Sequence, residues 1–199
     1  MQKIMFNDKY GLTQAVLVGR KTMTRRIIDA PSNSIYTKPV LDLCGNIIKV
    51  YALDPDGRGL GVFYPKYRVG EVVAVAQNLR DMGYDPRDTK HKPGAIWGLD
   101  HSPAWTNKMF VSASECIHQI RITNVSVERL RDISDEDCLR EGVMAESIFD
   151  DNDYCIVPGI QSRFTSPRGA FAALIDKVSG KGTFGNNPWV FVYEFELVK

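Results

Sequence analysis

Neither sign of charge dominates this chain: 25 lysines and arginines face 24 aspartates and glutamates in 199 residues, a formal net charge of +1. That balance excludes a polybasic arm or an acidic tail as the basis of function. Any anion or nucleic-acid site has to be a local patch. No apolar run approaches the roughly 20 residues that cross a bilayer. The opening Met1-Gln2-Lys3-Ile4-Met5-Phe6-Asn7-Asp8 has no long apolar core of the kind an export signal carries. Cysteine is scarce: Cys44, Cys116, Cys138 and Cys155 form no CxxC pair. A disulfide framework is thereby unsupported, and reduced thiols in a cytoplasmic protein are the expectation. Internal repeats are also missing. What remains is enough chain, 44% of it hydrophobic, to bury a core without covalent staples.

Residues 3–7 read as a short strand and Tyr10 to Val18 as a helix, with Leu12, Ala15 and Val16 on one face. Gly19 stands where a helix ends in a left-handed residue. The run from Arg20 to Ile28 is rich in β-branched residues and reads as extended, and 29–39, with Pro31 and Pro39, as loop. A hairpin is expected from Asn46 to Tyr64 around Asp54-Pro55-Asp56-Gly57. Val72-Val73-Ala74-Val75-Ala76 suits a buried strand. The stretch 80–108 has the character of a long functional or mobile connection.

Alternation returns between Cys116 and Glu128 as a half-buried strand. Ser134-Asp135-Glu136-Asp137 is a capping box that opens a short helix to Glu141, with Gly142 just past its end. Glu136 and Arg140 are spaced for an i,i+4 pair. After a loop at 148–167, Ala170 to Val178 reads as a helix with Phe171, Leu174, Ile175 and Val178 on one stripe. Trp189 to Leu197 is the last strand. Short strands with a few short helices predict an α+β fold, a small mixed β-barrel rather than a doubly wound sheet.

Several chemical motifs fail. His91, His101, and Cys116 with His118 lack the close paired spacing of a metal site, so no metal is expected. No G-x-S-x-G elbow is present. Gly57-Arg58-Gly59-Leu60-Gly61 leads into a strand, not into the helix N-terminus that a pyrophosphate needs. Gly180-Lys181-Gly182-Thr183 follows a helix and lacks the first glycine of a P-loop. Both glycine clusters read as turns.

One constellation survives. Gly19-Arg20-Lys21-Thr22-Met23-Thr24-Arg25-Arg26 holds four cations and two hydroxyls in eight positions, the densest basic patch in the chain. Cations and hydroxyls together suit phosphate contact; a solvated edge strand guarded by its charges is the competing reading. On the last strand Trp189, Phe191, Tyr193 and Phe195 alternate onto one face. They are either a base-stacking platform or a core.

These blocks carry a resemblance. Ile4-Met5-Phe6-Asn7, the run from Gly19 to Arg26, and Val69-Gly70-Glu71-Val72-Val73-Ala74-Val75 resemble an ASCH domain of the PUA-like superfamily. So do the run from Val127 to Asp137 with Glu141-Gly142-Val143, and Asn187 to Phe195. The long, phage-associated branch is the most similar. The blocks occur in family order and span nearly the whole chain. They imply one domain over 1–199 with insertions at about 29–66, 80–108 and 143–168.

The resemblance implies a β-barrel with flanking helices and a basic cleft for RNA, a nucleotide or a modified nucleoside, with no cofactor. Arg20, Thr22, Arg25 and Arg26 become ligand contacts. Gln77 joins them in the cleft wall, in an Ala76-Gln77 pair where long members usually carry Arg-Glu. Some small members are amidohydrolases that deacetylate acetylated cytidine with a lysine, a threonine and a glutamate, which match Lys21, Thr24 and Glu141. In those roles Thr24 is the nucleophile and Lys21 a base or an oxyanion partner. Glu141 sits by a helix C-terminus, where the macrodipole disfavours negative charge. In a regular strand Lys21 and Thr24 face opposite sides, so sharing a cleft requires Lys21 to belong to the preceding turn or a bulge to intervene. Three functions are compatible with these residues: a ligand-binding protein, a nucleoside amidohydrolase, and a non-catalytic accessory protein of phage origin.

Overall fold

Apolar alternation sets the strands of this protein, and glycines and capping side chains set where its helices begin and stop. The computed structural model describes residues 1–88, 97–147 and 153–198. In chain order the elements are β1 (Lys3–Ile4), α1 (Leu12–Leu17), β2 (Met23–Ile27), β3 (Tyr36–Leu41), β4 (Ile47–Leu53), β5 (Gly59–Phe63) and β6 (Val72–Val75). There follow β7 (Gln119–Arg129), α2 (Asp135–Arg140), β8 (Met144–Ser147), β9 (Asp153–Ile156), α3 (Pro167–Ser179), α4 (Thr183–Asn186) and β10 (Trp189–Leu197), with short 3-10 turns between them. Two compact units divide these elements.

The smaller unit comprises Met1–Phe6, Val72–Arg121 and the C-terminal end from Leu197. In it β1 runs parallel to β6, Lys3 opposite Ala74, and β6 runs antiparallel to the start of β7, Val73 opposite Ile120. Val73, Ala74 and Val75 are wholly buried, as their unbroken apolar run requires. Ala74 joins Leu79, Leu99, Ala104, Val111 and Cys116 in one apolar cluster. Part of the expected connection at 80–108 is thus ordered by burying its own apolar residues. His91 lies outside the described residues.

The larger unit comprises Asn7–Glu71 and Ile122–Glu196. Its central ladder pairs β10 antiparallel to β2, with Tyr193 opposite Thr24 and Val192 opposite Arg25. β3, β4 and β5 form a separate antiparallel sheet, and β8 pairs with β9. Both faces of β10 are covered: Val190 and Val192 are as buried as Phe191, Tyr193 and Phe195. Of the alternating aromatics, Phe191, Tyr193 and Phe195 are therefore core, and Trp189 is half-buried with the Arg129 guanidinium 4.3 Å over its ring.

The α+β composition holds, but the barrel does not: the sheets are open. Closure requires each terminal strand to gain a second hydrogen-bonded neighbour, and among the described residues β2 has only β10. Beside the start of β2 lies the end of α2, where Thr22 N–H donates to the Arg140 carbonyl (3.0 Å).

Local signals account for most element ends. Ser134 accepts from Asp137 N–H and caps α2, and Gly19 (φ +73°) ends the turn after α1. Tyr10 falls in a separate 3-10 turn, because Gly11 in the left-handed region interrupts the expected helix. Residues 36–39, read as part of a loop, belong to β3; Pro39 is tolerated because β3 is an edge strand. The loop expected at 148–167 contains β9, and its residues 148–152 lie outside the described ones. Val178 is 39% exposed and leaves the buried stripe of α3 to Phe171, Leu174 and Ile175. Among the described residues no helix is long and apolar enough to cross a membrane.

Candidate functional site

The short path from α1 into β2 decides where the basic residues go. After Gly19 the backbone N–H groups of Arg20 and Lys21 both reach the Ala15 carbonyl (2.9 Å each), so Lys21 still belongs to the helix-ending turn. Its side chain runs inward: Lys21 is 2% exposed. Lys21 Nζ donates to Glu141 Oε2 (2.6 Å), to the Glu141 carbonyl (2.7 Å) and to the Met23 carbonyl (2.7 Å). Glu141 is equally enclosed, held at the C-cap of α2, where the chain turns away at Gly142 (φ +112°). A side chain on Gly142 would meet Leu12 Cδ2 at 3.0 Å and Lys21 Cδ at 3.7 Å. Glycine there lets the two strands of chain close around the pair.

Arg25 shares Glu141. Its Nη1 lies 3.3 Å from Glu141 Oε1, its Nη2 3.0 Å from Asp137 Oδ2 and its Nε 2.8 Å from Glu128 Oε1. The planar fork of a guanidinium can meet three carboxylates at once in a way no ammonium can. Arg140 extends the network, its Nη2 2.5 Å from Glu194 Oε2 and its Nη1 3.4 Å from Asp137 Oδ1. Arg140, not Glu136, makes these contacts; the i,i+4 pair expected on α2 is replaced by contacts across to β10. Lys21, Glu141, Arg25, Asp137, Arg140 and Glu194 thus form one continuous run of alternating charge.

Burial sets the electrostatics. Desolvation holds the Lys21 ammonium below its ordinary pKa, and the nearby Arg26 and Arg25 push the same way. The charge and hydrogen bond of Glu141 act against that trend. Arg25 is driven upward: burial opposes its charge, and Glu141, Glu128 and Asp137 more than compensate. On its other side the ladder places Tyr193, whose phenol is pushed up by burial; its oxygen accepts from Lys66 N–H (2.8 Å). Tyr67 packs edge-on to Tyr193, ring centres 5.4 Å apart, and burial raises it to about 12.

The chain matches no protein-family model, no curated protein and no solved structure. The site is therefore read from its own chemistry.

Of the residues singled out in the sequence, Lys21, Arg25 and Glu141 come into direct contact. Arg20 Nη1 donates to the Gly142 carbonyl (2.8 Å), and Thr22 Oγ1 accepts from Arg140 Nε (3.3 Å). Thr24 is buried, 5% exposed. Pleating sends Thr24 and Arg26 to the β2 face of Tyr193, and Arg25 to the opposite face. Gln77 belongs to the smaller unit, where it is 5% exposed and its Oε1 accepts from His118 Nδ1 (2.6 Å).

Sequence reasoning missed Glu128, Asp137 and Glu194 as members of the network. Asp137 was legible only as a capping residue, and Glu128 and Glu194 lie more than a hundred positions from Arg25, beyond any local spacing rule. Among the described residues no three His, Cys, Asp or Glu side chains gather to hold a metal ion.

Proposed function

We propose that this chain is an ASCH-like, PUA-like protein that hydrolyses the amide of an acylated pyrimidine nucleoside, of the acetylated cytidine type. The observation that carries this reading is the buried Lys21–Glu141 contact of 2.6 Å, with the lysine held below its ordinary pKa by desolvation. A lysine that loses its proton readily is a general base, and a carboxylate bonded to it can take or return that proton. Cations already enclosed by carboxylates suit an uncharged base better than a polyanionic backbone.

In the proposed cycle Thr24 Oγ1 attacks the amide carbonyl and passes its proton to neutral Lys21. The C–N bond then breaks, and the leaving exocyclic nitrogen takes that proton from the Lys21 ammonium. Water then attacks the acyl-threonine ester and gives a proton to Lys21; the C–Oγ1 bond breaks, Thr24 Oγ1 takes that proton back, and the carboxylic acid leaves with Lys21 neutral again. Arg26, half-buried on the Thr24 face, is the ligand-facing cation.

The test is incubation of the purified chain with acetylated cytidine, followed by chromatography for cytidine. Release of cytidine is expected, slowed by about 10²–10⁴-fold in Lys21→Met. Thr24→Ser keeps part of the rate and Thr24→Val none. The rate rises with pH to a plateau whose midpoint lies below the ordinary lysine value. Unchanged acetylated cytidine and no hydrolysis across a panel of acylated nucleosides defeats the proposal. A full rate in Thr24→Val removes the nucleophile.

A further inference from the structure

The three-stranded sheet of β3, β4 and β5 has two unlike faces. Pro39 pairs with Val50, Thr37 with Ala52, and Val50 with Phe63. Val50 and Ala52 on that side are 1% exposed. The pleat directs outward the pairs Tyr36 with Leu53, Lys38 with Tyr51, Val40 with Lys49, and Tyr51 with Val62. Tyr36 is 57% exposed and Tyr64, two residues beyond Val62, is 65% exposed. Lys49 Nζ lies 5.1 Å from the centre of the Tyr51 ring, two residues along the same face of β4, and Tyr64 follows Val62 on the alternation of β5.

Charge on this sheet has one sign. No acidic residue occurs in β3, β4 or β5, and both lysines, Lys38 and Lys49, belong to the tyrosine face. Two of the three aspartates in the two turns, Asp42 and Asp54, are tied to their own backbone, and Asp56 sits at the tip of the β4–β5 turn, away from the strands. Asp42 Oδ1 accepts from Cys44 and Asn46 N–H (2.8 Å each), and Asp54 Oδ1 from Asp56 (3.0 Å) and Arg58 (2.8 Å) N–H.

From this juxtaposition of exposed tyrosines and unopposed lysines we infer that the outer face of the β3–β4–β5 sheet binds single-stranded nucleic acid, the bases stacking on Tyr36, Tyr51 and Tyr64 and the phosphates meeting Lys38 and Lys49. An aromatic ring stacks on any base and a lysine meets any phosphate, so such a face binds with little sequence preference. A duplex hides its base faces and offers these tyrosines nothing. Charge complementarity therefore selects a polyanion, and the rings select an unpaired one. The inference is independent of the Lys21–Glu141 reading.

Binding of a fluorescently labelled uridine dodecamer, followed by anisotropy at increasing salt, tests it. The expected result is an affinity that falls with salt at a log–log slope of about −1.4 for two phosphate contacts on a single strand. Tyr36→Ala and Tyr64→Ala each weaken binding at least about fivefold. Lys38→Glu with Lys49→Glu weakens it further and flattens the slope. All four positions lie on the outward face, and an unchanged thermal melt verifies that the variants fold. Failure to bind the dodecamer overturns the inference. So does binding that ignores the tyrosine substitutions, or equal affinity for a duplex of the same length. Capture of an acidic protein with no affinity for the dodecamer overturns it too.

Discussion

Replacing Glu141 by glutamine keeps the shape of the side chain and removes the charge that faces Lys21. The lysine is 2% exposed and stays among the Met23 and Glu141 carbonyls, so its ammonium loses its nearest counter-ion without gaining water. Removing one partner of a buried pair costs about 3–5 kcal/mol. A second route to the magnitude is independent of the first. Lys21 can escape the buried charge by folding neutral, and lifting its proton at pH 7 from an unfolded pKa of about 10.4 costs roughly 4–5 kcal/mol.

The two figures agree, and they predict a pH dependence. A lysine whose folded pKa lies below its unfolded value binds fewer protons when folded, so stability rises with pH between those two values. The penalty of Glu141→Gln therefore shrinks to about 1 kcal/mol near pH 9.5. Urea unfolding of wild type and variant at both pH values measures it. The double variant Lys21→Met/Glu141→Leu regains most of the loss, because apolar side chains of similar volume replace a buried pair at little cost. A penalty below about 1 kcal/mol at pH 7, or one that does not change with pH, refutes the account of Lys21 as a buried, charge-compensated ammonium.

Two further outcomes follow from the same network and its surroundings. Burial raises the Cys138 thiol to about 12, and Cys116 and Cys155 are also buried, so only the exposed Cys44 reacts with a thiol reagent in the native protein and all four cysteines react after denaturation; a fast second native thiol counts against the packing of α2. Glu194, held below its ordinary pKa by its hydrogen bonds from Arg140 and Asn124, contributes stability that is present above about pH 4.5 and lost as pH falls through its folded pKa. Glu194→Gln is thus expected to cost at most about 1 kcal/mol at pH 7 and nothing in acid, where an unfolding curve that still separates the two proteins disproves the pairing.

Much of the architecture was legible locally. The apolar run at Val72–Val75 could only be buried, Ser134 could only cap a helix that its own turn begins, and alternation from Trp189 to Leu197 marked the whole of β10. These features depend on neighbours within four residues, which a linear pattern displays. The third strand of the outer sheet was not legible, because Pro39 and the polar residues before it imitate a loop unless β4 supplies a partner. That the sheet stays open was not legible either, since among the described residues β2 has β10 on one side and no strand on the other, and no periodicity encodes that.

The candidate site divides the same way. Composition singled out the cations between Arg20 and Arg26, and the helix-ending Gly19 put Lys21 in a turn rather than on the strand's pleat. Which anions meet those cations was decided only in three dimensions. Lys21 and Glu141 stand 120 positions apart, and Arg25 and Glu128 103 apart. A dense basic segment after the first helix and a carboxylate at the end of α2 are written in the order of residues. That Lys21, Arg25 and Glu141 neutralise one another in a buried cluster emerges from folding, because a long-range contact is a property of two chain segments and is written in neither alone.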